Sequence, residues 1–423
     1  MANNLSSRMI KSMQYILPKL AATSHELDNE NVTPINLSIA ENYVIREELI
    51  EICKDVVKEK LVPSVLSQPL EFGGDSELRE GLAGFFNTYF DPVCQVKKEH
   101  VILTAGVGGG LEALAHAICE DGDSVIIPGP YWFGMEPYLR TRPNVYTIVA
   151  SLTSYTLDSH SNDLLPSLIS SYDTAPDSSR IKAVILCNSH NPFSRCYSKE
   201  SIEACMKFCQ ERNLHLISDE LYALAAIKSD SISTMNVTPF ISILSLNYKG
   251  LIDPDKVHVV WSGSKLFGLS GIRTGCLISQ ANIPLRTAIS LLSYASVSTL
   301  SSLYLKSILS YPDLPLLLKT NSERLTASYK LLADSFSKWG IEYLPATEGI
   351  FIFAKLARRA TTQKEADEVF SRLAKHGVLV SPGKFYNGIP GEVGWARVTF
   401  SLPLEVIEEA VARMETILGN VLK

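Results

Sequence analysis

VHVVWSGSKLFGLSGIRTGCLI, residues 257–278, decides how the rest of this chain reads. Val257 to Trp261 is an apolar run of β-branched and aromatic side chains, which predicts a buried strand, and Gly275 to Ile278 continues the sheet after a turn-rich interval. That interval holds one lysine, Lys265, between Ser262 and Ser264 on one side and Arg273 on the other. An amine delivered to the end of a buried strand is desolvated, and a nearby cation repels its proton further. Once neutral, it can condense with an aldehyde. Ser262, Ser264 and Arg273 are residue types that together hold a phosphate dianion. Taken alone, the stretch also fits a surface loop with an incidental lysine.

Working outward, buried strand followed by helix recurs at least five times between about residues 100 and 280, which predicts an α/β chain with a mostly parallel, helix-covered sheet. Val101–Thr104 runs into Gly106, Val107 and Gly108 and then a helix; amides at such a start can cradle an anion, and a plain tight turn accounts for the same residues. After the strand Ser124–Ile127 come Tyr131, Trp132 and Phe133, an aromatic face suited either to a flat heterocycle or to the core. The strand from Ile181 ends in Ser189-His190-Asn191-Pro192, a turn whose Asn191 amide can donate over the sheet's end. Asp219 closes another apolar strand, where a carboxylate without a partner is expensive, and Tyr222 follows on the same loop. Residues 151–179, rich in Ser and Asp with poor periodicity, read as a surface excursion.

The flanks read as a second unit. Residues 1–33 are a polar arm with one amphipathic helix, followed by a short strand at Ile35–Ile39, the tripeptide Ala40-Glu41-Asn42 and a helix with Leu49, Ile52, Val56 and Val57 on its apolar side. Glu41 is either a carboxylate favoured at a helix start or a residue reaching into a cleft. Past Gly73-Gly74, Asp75 or Ser76 caps a helix carrying Leu78, Leu82 and Phe86 inward. Helical patterns fill roughly 284–310 and 316–339. The tail alternates strand and helix, with a helix at Gln363–His376, strands in VLVSP and WARVTFSL, and a closing helix from Leu404. The expected division is 1–60 as arm and part of a small domain, 61–310 as the large domain and 311–423 as a small α/β domain.

At 423 residues, 46% hydrophobic and 20% charged, the chain can bury a large core, and its net charge of -6 with no basic run argues against nucleic-acid binding. Lacking a signal-peptide pattern and any long apolar stretch, it reads as cytoplasmic with no membrane role. The eight cysteines form no C-x-x-C pair and read as free thiols. His25-Glu26 has no second histidine at metalloprotease spacing, so no metal is assigned.

One cofactor would use all of these groups together, pyridoxal 5'-phosphate. Asp219 would pair with its ring nitrogen, Asn191 and Tyr222 would face its phenolic oxygen, and Trp132 would cover its ring. Gly106, Val107, Gly108, Ser262, Ser264 and Arg273 would hold its phosphate, and Lys265 its aldehyde. Arg397, in GWARVTF, offers a bidentate fork for the α-carboxylate of an amino acid. A nicotinamide dehydrogenase would need a glycine fingerprint with an acidic residue about 20 positions on, which the cluster at 106 lacks.

The motifs N-P-x-x-R at 191, S-D-E-x-Y at 218, S-x-S-K-x-x-G-L-x-G-x-R-x-G at 262 and W-x-R-V at 395 resemble those of fold-type I pyridoxal-phosphate enzymes of the class I/II aminotransferase group. Ala40-Glu41-Asn42 and the general run of the chain are similar to aminocyclopropane-carboxylate synthases and their fungal relatives, which include gliotoxin-type carbon-sulfur lyases. The resemblance implies an aspartate aminotransferase-like fold with a seven-stranded sheet, a homodimer, and an aminotransferase or carbon-sulfur lyase of secondary metabolism. It implies Lys265, Asp219 and Tyr222 as catalytic residues, and Arg397, Glu41, Asn191 and Phe72 at the substrate. Phe72 departs from the family's Y-x-x-G tyrosine, which reaches the neighbouring subunit's cofactor phosphate; without that hydroxyl, aminocyclopropane-carboxylate synthesis becomes the alternative reading. The Val107-Gly108-Gly109 loop lacks a hydroxyl residue common in relatives, and Phe193-Ser194 replaces the usual residue-then-glycine after Asn-Pro. A non-catalytic cofactor-binding relative would gain nothing from keeping the complete set.

Overall fold

The computed structural model describes residues 4–23, 33–67, 71–228, 238–389 and 391–419. Its main sheet has seven strands: β1 (Val101–Thr104), β2 (Ser124–Pro128), β3 (Tyr146–Ala150), β4 (Ile181–Cys187), β5 (His215–Asp219), β6 (Val257–Ser262) and β7 (Gly275–Ile278). In space they lie in the order β1-β7-β6-β5-β4-β2-β3. β2 to β6 pair parallel through this order, while β7 runs antiparallel to both β6 and β1.

The apolar runs are continuous because both faces of this sheet are covered. Ile127, Ile185, Ile217 and Val260 pack on one face with Leu111 and Leu114 of the helix Gly106–Ile118. Their neighbours Ile126, Val184, Leu216 and Val259 point to the other face, into the larger core. There Trp261 is fully buried among Phe85, Phe86 and Phe267. Phe85 and Phe86 come from the helix Ser76–Tyr89, which Asp75 caps by accepting from the Leu78 amide at 2.7 Å.

A second, four-stranded antiparallel sheet forms from Tyr343–Leu344, Phe351–Ala354, Ala396–Thr399 and Ser381–Pro382. The long helix Leu314–Lys338 packs against the closing helix Leu404–Leu418 beside it. The N-terminal segment joins this half, because Ile35–Asn36 pairs parallel with Val378–Leu379. A second seam, Tyr131–Trp132 against Tyr386–Asn387, ties the two halves together.

Several local expectations change. Residues 151–179 are not a surface excursion: they hold the helices Ser159–Asn162 and Leu164–Asp173, and Leu152, Tyr155, His160, Leu164 and Leu168 are buried. Their serines and aspartates hydrogen-bond to nearby backbone, which masked the apolar spacing. The strand expected at 35–39 is only Ile35–Asn36. The 284–310 pattern splits into Ile283–Leu292 and Thr299–Leu309, with Ala295 in the left-handed region between them. His25-Glu26 lies outside the described residues. All eight cysteines are free, four of them buried, and no described helix is long and apolar enough to cross a membrane.

Candidate active site

A cavity of about 810 Å³ opens where the carboxyl ends of β4, β5 and β6 face the second sheet. Cys187, Asp219 and Ser262, the last residues of those strands, form part of its wall, and Leu379, Ser381 and Arg397 line it from the other side. Strand ends are where an open parallel sheet leaves room and free backbone groups for a ligand.

Lys265 sits in the single helical turn Gly263–Leu266 that follows β6, and the Ser262 hydroxyl caps this turn by accepting from the Ser264 amide at 3.3 Å. The lysine Nζ donates to the Ala40 carbonyl at 2.5 Å. Burial, reinforced by Arg397 and Arg273 and opposed by Glu41 and Asp219, lowers its pKa from 10.5 to about 8. Ala40 is held there by its neighbour Asn42, whose side chain donates to the Leu266 carbonyl at 3.0 Å and to Asn321 at 2.8 Å. Gly268 makes that approach possible: its φ is +64°, and a Cβ would lie 2.1 Å from the Asn42 carbonyl oxygen.

Asp219 is buried at the end of β5, and among the described residues its carboxylate accepts a hydrogen bond from the Leu221 amide alone, at 3.2 Å. Burial raises its pKa from 3.8 to about 7. The strong protein partner expected for this carboxylate is thus a single backbone N–H, and a cationic ligand would complete it. Tyr222, buried against the edge of Phe351, lines the same cavity.

Arg397 projects from the strand Ala396–Thr399, is only 4% exposed, and makes no ion pair with a carboxylate among the described residues. It donates to Asn191 Oδ1 at 3.1 Å and to the Ser38 carbonyl at 2.6 Å, and its buried Nε has no partner. Its guanidinium lies 4.8 Å from the Phe351 ring centroid. A buried guanidinium without a carboxylate fits a ligand that brings one.

Val107, Gly108, Ser262, Ser264 and Arg273 line the cavity together with Ser270. Ala105 offers no side-chain cap to the helix Gly106–Ile118, and a helix start without a cap is a place where backbone amides suit an anion. Arg273, in the left-handed region, donates to the Ala105 and Ser270 carbonyls, and Gly106 packs against its guanidinium. Trp132, 40% exposed, stands on the wall, as does Glu41, which pairs with Arg46 at 3.2 Å. Phe72 does not line this cavity: its ring rests on Tyr294 with centroids 5.3 Å apart, and it is 60% exposed. The donor set therefore fits pyridoxal phosphate: a buried acid, a half-buried amine, a phosphate-sized group of donors and a guanidinium without a carboxylate partner.

Sequence reasoning missed Leu20, Ile39, Ser381 and Phe385 on the wall, and Glu136 behind it. Glu136 alone carried a signal, an acid within the aromatic segment YWFGMEPY whose burial required partners.

Comparison with known proteins gives the family and the fold. Residues 33–414 match the family model for aminotransferase class I and II, so the chain belongs to that family of pyridoxal-phosphate-dependent enzymes. It is 36% identical over 417 residues to the probable aminotransferase aclI of Aspergillus oryzae, covering 98% of each chain. It is 32% identical over 359 residues to the trimodular acetylaranotin synthesis protein ataIMG of Aspergillus terreus, covering 84% of this chain and 35% of that one. Identity to the 1-aminocyclopropane-1-carboxylate synthase-like protein 1 of Mus musculus is 28%, over 91% of this chain and 76% of the other. Among solved structures, an aspartate aminotransferase double mutant of Thermus thermophilus superposes with a TM-score of 0.76 at 20% identity, covering 99% and 100% of the two chains, which shows the shared fold.

Proposed function

We propose that this enzyme binds pyridoxal 5'-phosphate in the cavity and acts at the α-carbon of an amino acid with a bulky apolar or thioether side chain, as an aminotransferase or carbon-sulfur lyase of secondary metabolism. The observation that carries this reading is the convergence of half-buried Lys265 with buried Asp219 and Arg397 on one cavity, none of them in an ion pair among the described residues. The amides of Val107 and Gly108 with Ser262, Ser264 and Arg273 would hold the phosphate, Trp132 the ring face, and Asn191 and Tyr222 the phenolic edge. When bound, the cofactor supplies an electron sink for the substrate's Cα.

The chain's own residues do the rest. With a pKa near 8, Lys265 has a substantial neutral fraction at physiological pH, so it can accept the Cα proton and return it at a neighbouring carbon. Asp219, whose proton leaves more readily once a cation sits beside it, keeps a negative charge behind the site. Arg397 grips the α-carboxylate, with Asn191 Oδ1 fixing the plane of its guanidinium. The apolar wall of Ile39, Leu111, Phe133 and Phe385 excludes water and suits a large side chain. Lyase chemistry uses the same residues and differs in what leaves after the proton is taken. A synthase of the aminocyclopropane type is disfavoured, because Phe72 cannot donate the hydrogen bond its tyrosine counterpart makes.

The division into 1–60, 61–310 and 311–423, a homodimer, and a cytoplasmic setting belong to the same proposal. Exposed Phe72, Leu291, Leu292 and Tyr294 support a second copy, and the free thiols support a reducing compartment. The test is to supply amino acids and cysteine conjugates to the purified protein, following the cofactor spectrum with keto acid, ammonia and thiol release. Absence of all three products, or borohydride labelling of a lysine other than Lys265, contradicts the proposal.

A further inference from the structure

Glu136 is the most heavily engaged carboxylate near the cavity, yet it does not line it. It is 2% exposed and its two oxygens serve three parts of the molecule. Oε2 accepts from Lys19 of the helix Ser7–Thr23 at 2.7 Å. Oε1 accepts from the Tyr131 hydroxyl at 2.9 Å, the Asn387 side-chain amide at 2.9 Å and Thr147 at 3.3 Å. Burial alone would push this carboxyl up; the bonds from Lys19 and Tyr131 outweigh it and hold the carboxyl below the usual range. Two of the partners adjoin the site directly. Tyr131 precedes Trp132, and Asn387 follows Tyr386, whose ring centroid lies 5.6 Å from the Arg397 guanidinium.

The helix Ser7–Thr23 is also tied down by Ser12, which donates to the Arg140 carbonyl at 3.2 Å, and by Arg140, which lies over the Tyr15 ring at 4.1 Å. Immediately after Lys19 comes Leu20, which lines the cavity while 45% exposed. Ile39 and Trp132, on the same cavity, are 48% and 40% exposed. Three large apolar side chains left half-wet around one opening are unfavourable until an apolar group covers them.

We infer that the Lys19–Glu136 pair is a latch that seats the N-terminal helix at the cavity mouth, and that it thereby makes Leu20 part of the surface selecting a bulky apolar substrate side chain. The selection half rests on the proposed function; the latch does not. Lys19 and Glu136 are positioning residues, and Leu20 is the one that meets substrate.

The test compares Lys19→Ala, Lys19→Arg and Leu20→Ala by hydrogen exchange of residues 7–23 and by steady-state kinetics on phenylalanine and alanine. Lys19→Ala should speed exchange in the helix about tenfold and raise KM for phenylalanine about tenfold, with kcat and the KM for alanine changing less than about twofold. Lys19→Arg should restore both, whereas Leu20→Ala should reproduce the KM split without faster exchange. Unchanged exchange in Lys19→Ala overturns the latch, and an equal KM shift for phenylalanine and alanine overturns the selection. If the unmodified enzyme turns over neither amino acid, the selection by Leu20 falls with the proposed function, while exchange still decides the latch.

Discussion

Asp219 and Glu220 are consecutive, both buried, and both pushed up to a pKa of about 7 chiefly by burial, yet they face different regions and have different fates. Glu220 points behind the sheet end, where the Ser218 hydroxyl at 2.9 Å, the Ser242 hydroxyl at 2.7 Å and the Ile243 amide at 2.8 Å satisfy both its oxygens. Asp219 faces the cavity with one backbone donor. The same contrast separates two buried arginines: Arg195 pairs with Asp158 at 2.5 Å, while Arg397 faces the cavity without a carboxylate. Glu220 has both oxygens satisfied within the protein and holds the fold, whereas Asp219 and Arg397 are kept short of partners, which a ligand can supply.

The largest effect that would sharpen this contrast is at Lys265. Lys265→Ala should lower turnover by about a thousandfold or more, yet leave the melting temperature of the cofactor-free protein unchanged or higher, since a half-buried, poorly compensated amine is removed. A matching loss of stability would break the contrast. Next, Arg397→Ala should reduce kcat/KM by roughly 10- to 100-fold, corresponding to about 1.5–3 kcal/mol for a charged hydrogen bond, while the cofactor absorbance persists. Loss of absorbance with substrate affinity intact would reassign the residue.

Glu220→Ala should behave in the opposite way. It strands the donors of Ser242 and Ile243 and should cost about 1–3 kcal/mol in urea unfolding, with the activity of each folded molecule retained.

The smallest effect is a pH dependence. Asp219, Glu220 and Glu348 have folded pKa values of about 7, 7 and 8, above their ordinary values near 4, so the folded state binds more protons between those limits. Their contribution to stability is therefore greatest at acid pH and falls as pH rises from about 4 to 8. Lys265, lowered to about 8, binds fewer protons folded than unfolded, so its contribution rises again from about pH 8 to 10.5. Urea midpoints of the cofactor-free protein should pass through a minimum near pH 8. Asp219→Asn should flatten the acid limb, and a limb that stays equally steep would show that Asp219 is charged in the cavity.

Much of the site was legible because its residues follow strand ends. Lys265, Asp219 and Asn191 each come a few residues after an apolar run, and the run marks both the strand and the place where it stops. The glycine-rich start of the helix at Gly106 was legible for the same reason. The helices at 159–173 were not, because serine and aspartate hide a short apolar face. Phe72 stood out only as a departure from a motif, and in this chain it lies against Tyr294, outside the cavity.

The sequence by itself determined the class of sheet, the order of its strands along the chain and the chemical types available at their ends, since each depends on neighbours within a few residues. Tertiary structure alone decided that β7 runs antiparallel, that Arg397 meets Asn191 from 206 positions away, and that Lys19 finds Glu136. Which strand pairs with which, and which charge meets which, is settled by closing long loops around a shared core, and no local periodicity encodes that choice.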